Sequence, residues 1–177
     1  MRTNNIKNKI KEYFFLNPTI KLRVRQIERE VHVPLPSAIR YTKELEKEKI
    51  LKITKIANIT AYSAQRTSKE YLLEKRLFNI QVLSSSGLID SIVQNLSNPV
   101  IIVFGSYSKG EDIETSDIDL YIETPSKEAI LLNKFEKELN RKIQILRYDN
   151  LDKIKNKDLA NNIINGIVLN NYLEVYK

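Results

Sequence analysis

Two aspartates, Asp117 and Asp119, stand two apart in Asp-Ile-Asp-Leu-Tyr-Ile, and about a dozen residues earlier Gly105 and Ser106 close an unbroken apolar run, Val100 to Phe104. A strand's period of two puts both carboxylates on one face and Ile118, Leu120 and Ile122 on the other. Acids that close repel, and the pair is stable either in solvent or around a hard divalent cation. Val100 to Phe104 is rich in β-branched residues, the pattern of a strand buried on both faces. Gly105 and Gly110, two of only four glycines, bracket a turn containing Ser106, Ser108 and Lys109, so backbone N–H groups can approach an anion. A Gly-Ser turn alone is weak, and Asp-x-Asp alone is more often a solvated strand edge. Their order along the chain, strand, Gly-Ser, second glycine, paired acids opening the next strand, reads as a metal and phosphate site.

In that order the segment resembles the minimal nucleotidyltransferases of the DNA polymerase beta superfamily, over Leu83 to the C-terminus. The resemblance implies that Gly105 and Ser106 hold a nucleoside triphosphate, ATP by expectation, and that Asp117 and Asp119 are the catalytic, Mg²⁺-binding acids. Paired metals would neutralise phosphate oxygens and align an in-line nucleophile. Lys109 could add a point charge against a phosphate, or be a solvated loop lysine. The family's third carboxylate lies on the strand after the next helix. Here that strand reads Arg141-Lys142-Ile143-Gln144-Ile145-Leu146, with Gln144 in the acid's place. An amide can offer a carbonyl oxygen to a metal but cannot accept a proton as a general base. Glu123, on the strand face of the two aspartates, and Asp149 are alternative acids, each also readable as an ordinary surface residue.

The elements around this motif follow from periodicity and composition. At 177 residues and 42% hydrophobic, the chain can build one or two small cores. No apolar run approaches the length of a membrane span and the N-terminus lacks a signal-peptide core, so the expectation is a soluble cytoplasmic protein with no membrane partner. The absence of cysteine removes disulfides and thiolate metal sites, and the single His32 leaves little room for zinc or histidine chemistry. Net charge is +7, and its distribution is polar: residues 1–65 hold fourteen Lys and Arg against six Asp and Glu, residues 66–177 fifteen against sixteen. The excess is N-terminal, where a polyanion would be met.

Ile6, Ile10, Tyr13 and Phe14 mark a first helix stopped near Asn17-Pro18. Val24, Ile27 and Val31 mark a second, with Arg23, Arg25 and Arg29 beside the stripe. After the turn Val33 to Ser37, a third helix is expected from about Ser37 to Lys49, buried through Ile39, Thr42 and Leu45 or Tyr41, with Arg40, Lys43 and Lys47 outward. Two strands, Ile50 to Ile56 and Thr60 to Ser63, are expected to be joined through Ala57-Asn58-Ile59. This order looks like a winged helix-turn-helix of the transcription-regulator type. In that motif a recognition helix enters the major groove of double-stranded DNA, which makes Ser37, Arg40, Lys43, Lys47, Lys52 and Lys55 the expected DNA contacts. Use of the same fold for protein contact or dimerisation stays open.

Leu73, Leu77 and Ile80 predict a connector helix over Ser68 to Leu83, broken at Ser84-Ser85-Ser86-Gly87. Helices are expected at Leu88 to Leu96, at Ser126 to Leu139 with Ile130, Leu131 and Phe135 inward, and at Lys157 to Asn165. Gly166 stops the last, and Ile167 to Tyr176 forms a strand pair or tail. The expected fold class is α+β: a winged helix-turn-helix (1–65), a helical connector (66–86) and a small polymerase-beta-like nucleotidyltransferase domain with a mixed sheet and flanking helices (87–177). Two functions follow. One is a Mg²⁺-dependent transferase moving a nucleoside monophosphate onto a hydroxyl acceptor. The other is a catalytically weak or inactive transcription regulator or antitoxin-like protein that binds DNA, senses a nucleotide and meets a toxin-like partner. A homodimer fits either.

Overall fold

The computed structural model describes residues 6–56 and 59–175, without the side chain of Ile56. The expected hairpin joint at Ala57 and Asn58, and Tyr176 at the end of the expected C-terminal strand, lie outside the described residues. The chain divides into two compact units, 1–78 and 79–177.

In the first unit, α1 (Ile6–Leu16) stops where Pro18 disfavours helix in the residue before it, and Asn17 Nδ2 donates to the Tyr13 carbonyl at 2.9 Å. β1 (Lys21–Leu22) precedes α2 (Val24–Val31), which ends on His32 with φ of 55°. α3 (Leu35–Lys47) starts two residues earlier than expected, because Pro36 fits a first helical turn where no N–H is needed. β2 (Leu51–Ile56) and β3 (Ile59–Ala64) pair antiparallel, and β1 adds to β3, giving the order β1-β3-β2. A two-residue strand carries no periodicity, so β1 escaped the sequence reading. The core gathers Ile10, Phe14, Phe15, Ile27, Leu45, Leu51 and Tyr62. On α3 the buried side chains are Ala38, Thr42 and Leu45, whereas Ile39, expected inside, is 42% exposed. The inward spacing of four and three begins at the small Ala38, which bulk alone would have passed over. The Thr42 hydroxyl is satisfied within the helix by the Ala38 carbonyl at 2.7 Å.

α4 (Lys69–Ser85) carries the division between the units. The Ser68 hydroxyl accepts the Tyr71 N–H at 3.0 Å, the capping that stops a helix fraying at its start. Leu73 and Leu77, which mark the expected connector helix, are 58% and 60% exposed. The buried stripe runs instead through Tyr71, Lys75, Asn79 and Leu83, and its two polar members hid it from a hydrophobic pattern.

The second unit opens with α5 (Leu88–Asn95), then β4 (Val100–Phe104), the single-turn α6 (Gly105–Lys109), β5 (Ile118–Glu123), α7 (Asn133–Leu139) and β6 (Ile143–Tyr148). A 3₁₀ turn (Leu151–Lys153), α8 (Lys157–Ile164) and β7 (Ile167–Asn170) complete it. The sheet has the order β6-β5-β4-β7. β5 and β6 run parallel and the other pairs antiparallel, so the unit is α+β with a mixed sheet. One face, with Ile101, Val103, Leu120 and Ile143, is covered by Leu88 and Ile92 of α5 and Phe135 and Leu139 of α7. The other, with Ile102, Phe104 and Tyr121, is covered by Leu151, Ile154 and Ile163. Burial on both sides is why β4 reads as continuous apolar sequence.

The crossover helix is half its expected length, and Leu131, expected inward, is 84% exposed. Residues 126–132 find other partners. The Ser126 hydroxyl accepts the Glu128 N–H at 3.3 Å, and Arg147 Nη1 donates to the Glu128 carbonyl at 2.7 Å, both competing with helical pairing. Among the described residues no helix is long and apolar enough to cross a membrane.

Gly166 joins α8 to β7 against the sheet itself. A Cβ there would sit 2.6 Å from both the Ile102 side chain and the Val103 carbonyl oxygen. Backbone cannot retreat as a side-chain tip can, so Gly166→Ala should destabilise the protein by about 1–3 kcal/mol. Chemical denaturation checks this, and an unchanged midpoint would reject the close approach.

Candidate functional site

β4 ends at Phe104, in register with Asp119 of antiparallel β5. The chain then turns through Gly105 with φ of 69°, a left-handed value that only glycine adopts without strain. A Cβ at this position would collide with the Asp119 carboxylate. Glycine is therefore required twice, for the turn and for the space the acid occupies. The expected Gly-Ser turn is a single helical turn, α6, ended by Gly110 with φ of 74°. Its serines have separate duties. The Ser108 hydroxyl is buried and donates to the Gly105 carbonyl at 2.9 Å, while Ser106 stands at the mouth of a cleft.

That cleft, about 460 Å³, is lined by Gly105, Ser106, Lys109, Glu111, Asp119, Gln144 and, from α8, Asn162. Gln144 arrives through the parallel pairing of β5 and β6, directly in register with Asp119. The start of β6 is pinned by the Glu136 carboxylate, which accepts the Ile143 N–H at 3.0 Å. This bond first, and Lys142 after it, hold the Glu136 carboxyl below its ordinary range. Burial, and then the neighbouring Asp117, push the Asp119 carboxyl above its ordinary range.

Asp117 lies just before β5 and is exposed. It is close enough to act on Asp119 but lines a neighbouring cleft of about 530 Å³ with Ser116, Asn133, Glu136 and Arg141. The two remaining acids lie elsewhere. Glu123 is four residues along β5 from Asp119, about 13 Å away at strand rise, and accepts the Tyr121 hydroxyl at 2.7 Å. Asp149 follows Tyr148, the register partner of Glu123, at that same far end. Glu111 is instead the second acid beside Asp119 in the cleft. The sequence offered one signal for it, its place directly after Gly110; Asn162 offered none, because only the packing of α8 brings it in.

The loop from 111 to 117 is anchored by a buried pair the sequence did not disclose. Asp112 Oδ1 accepts from Asn79 Nδ2 at 2.7 Å, and Asp112 Oδ2 lies 3.4 Å from Arg141 Nη2 with both side chains buried. Arg141 also donates to the Ile113 carbonyl. Burial, with Asp112 nearby, raises the Tyr107 hydroxyl far above its ordinary range, Arg141 opposing.

In the first unit, Ser37 is half-buried and Arg40, Lys43, Lys47, Lys52 and Lys55 are exposed. Arg40 is already engaged, its Nε 2.8 Å from Glu44, and Lys7 reaches both Glu44 and Glu48.

The site is thus a glycine turn at the end of a buried strand, with an acid of the adjacent strand over it. The family model of the nucleotidyltransferase domain matches residues 86–170, just under half of the chain, and supports a nucleotidyltransferase domain in the second unit. A search of curated proteins returned no match, and a search of solved structures returned none.

The shift at Asp119 has a consequence for stability. With its folded-state value above the unfolded one, the native state binds more protons, so stability falls as pH rises through that window and stays lowered at neutral pH. Asp119→Asn keeps the shape and removes the charge. It should melt higher than wild type at pH 7, with the difference closing as pH falls to the ordinary carboxylate range. Equal melting temperatures at pH 7 would contradict a desolvated, repelled carboxylate.

Proposed function

We propose that the second unit is a Mg²⁺-dependent nucleotidyltransferase that moves a nucleoside monophosphate from a triphosphate, ATP by expectation, to a hydroxyl acceptor. One observation carries the reading: Ser106, Lys109, Glu111, Asp119, Gln144 and Asn162 line one cleft, and among the described residues their side chains make no hydrogen bond or ion pair with the protein. Polar groups left uncommitted around a concave site are groups available to a ligand. In the transfer the acceptor hydroxyl loses its proton to solvent as its oxygen bonds to the α-phosphorus, the bond from that phosphorus to the oxygen bridging to the β-phosphate breaks, and pyrophosphate leaves.

The residues have distinct roles in this reading. The first N–H groups of α6 and the Ser106 hydroxyl receive the phosphates, and Lys109 adds charge from the end of the turn. Asp117 and Asp119, with the Gln144 amide oxygen, would hold magnesium, which neutralises phosphate oxygens and orients the reacting groups. The fit is chemical: every donor is a hard oxygen, and a cation would offset the burial and the Asp117 charge that raise Asp119. Among the described residues no cluster of three or more His, Cys, Asp or Glu converges, so the donor set rests on two acids and an amide.

That amide favours a second reading. Gln144, in register with Asp119, cannot take a proton from an attacking hydroxyl. The domain would then bind nucleotide without turnover, as a DNA-binding regulator or antitoxin-like protein, dimeric and working with a toxin-like partner. In either reading the protein works in the cytoplasm. The first unit supports DNA binding through its order of three helices and a hairpin, which fits a winged helix-turn-helix, and through its positive charge.

Purified chain with Mg²⁺ and labelled ATP should transfer label, and Asp117→Ala with Asp119→Ala should abolish transfer. Mg²⁺ should raise the melting temperature of wild type and not of the double variant. Nucleotide binding without transfer to any acceptor would overturn the enzyme reading and leave the sensing one. For the first unit, a mixed-sequence DNA duplex should be retained at low salt, with affinity falling as salt rises by a slope of about 0.9 per phosphate contacted. No retention would remove the DNA reading.

A further inference from the structure

The cations expected to meet DNA lie on α3 and the hairpin, yet four cations of the first unit line one cleft elsewhere. A cleft of about 750 Å³ opens between the β1–α2 segment and the start of β3, lined by Lys21, Arg23, Arg25, Gln26, Arg29 and Thr60 among others. No acid lines it. All four cations are exposed, and among the described residues none has an ion pair. Glu28 and Glu30 of the same helix lie outside the lining. The arrangement follows from helix geometry: Val24, Ile27 and Val31 turn toward the core, which swings Arg25 and Arg29, one turn apart, to the opposite side. Lys21 joins them because β1 is paired to β3. Lys55 is in register with Thr60 and flanks the same end.

α3 differs in the acids around its cations. Lys43 and Lys47 are exposed and have no ion pair among the described residues, but Arg40 is bound to Glu44, and Glu44 and Glu46 share the helix with them, with Glu48 directly after it. Arg40 must give up its pair to reach a phosphate, and the neighbouring glutamates repel one, whereas the cleft's cations exchange only water and counterions.

We infer that the cleft formed by Lys21, Arg23, Arg25 and Arg29 is the principal binding surface for the phosphate backbone of duplex DNA. The inference rests on the DNA reading above and relocates its energetic centre from α3 to α2. Duplex rather than single strand follows from the lining, which contains no aromatic side chain; single-strand grooves stack unpaired bases on aromatic faces. α3 then contributes position and base contact, and the α2 cleft contributes most of the salt-sensitive affinity.

Two variants of the full chain separate these contributions, Lys21→Gln with Arg23→Gln, Arg25→Gln and Arg29→Gln, and Arg40→Gln with Lys43→Gln and Lys47→Gln. Binding of a labelled mixed-sequence duplex is followed by anisotropy across a salt series, with circular dichroism confirming folded protein. The α2 variant should lose roughly tenfold or more in affinity at low salt, and its salt slope should drop by about 3. The α3 variant should lose less on both measures. Arg25→Lys with Arg29→Lys keeps the charge and should retain most of the affinity, which a merely structural role of the arginines would not predict. Wild-type retention of duplex with an unchanged α2 variant, or a larger loss in the α3 variant, overturns this inference alone. Failure of wild type to bind duplex removes the DNA reading itself, and tighter binding of the corresponding single strand overturns the assignment to duplex.

Discussion

The bare Cα of Gly105 beneath the Asp119 carboxylate is the constraint from which the geometry of the second unit's cleft follows. Because Phe104 and Asp119 are register partners, the acid lies beside the point where β4 must end. Without a Cβ at 105 the carboxylate takes that space, and the positive φ turns the chain into α6. The direction of that turn brings Ser106 and Lys109 to the cleft and commits Ser108 to the Gly105 carbonyl. Any side chain at 105 would displace the acid and strain the turn together.

The sheet supplies the second level of order. Both its faces are covered for most of their length, so its strands are held by apolar packing, and the end where β4 finishes and β5 and β6 begin is left to polar groups. The chain from α6 to β5 could swing at that end. It is fixed by Asp112, Arg141 and Asn79, a buried ion pair with an added amide donor. Buried pairs contribute little net stability once desolvation is counted. Their value here is positional, since one arginine spans the Asp112 carboxylate and the Ile113 carbonyl just upstream of Asp117.

What the sequence disclosed follows from which forces have short-range signatures. β4, the glycine turn and β5 were legible because a continuous apolar run, a rare glycine and a period of two each report a local requirement. The place of Gln144 was legible through the resemblance alone, and its register with Asp119 comes from the parallel pairing of β5 and β6. The inward face of α4 was not legible, because Lys75 and Asn79 occupy it and hydrophobicity could not reveal them. The crossover helix was overextended because residues 126–132 have adequate helix formers, and hydrogen bonds to Ser126 and from Arg147 outweighed propensity. Glu111 and Asn162 depend on tertiary placement alone. Side-chain pairing also mattered in the first unit: a count of cations along α3 could not show that Arg40 is taken by Glu44.

The charge around Asp119 decides what an amide at position 144 means. Asp119 already ionises against burial and against Asp117, and Glu111 lines the same cleft. An acid at 144, in register with Asp119, would add a further like charge in a site where Lys109 is the lining cation, and without a metal ion that repulsion would cost stability. Gln144 avoids the cost while leaving a carbonyl oxygen for coordination. On the proposed transferase reading, the amide would also pull less on a divalent cation than an acid would and would accept no proton. On that reading the cleft would thereby favour holding a nucleotide over rapid chemistry upon it, and the strength of metal binding by two acids and an amide would be the quantity on which turnover depends.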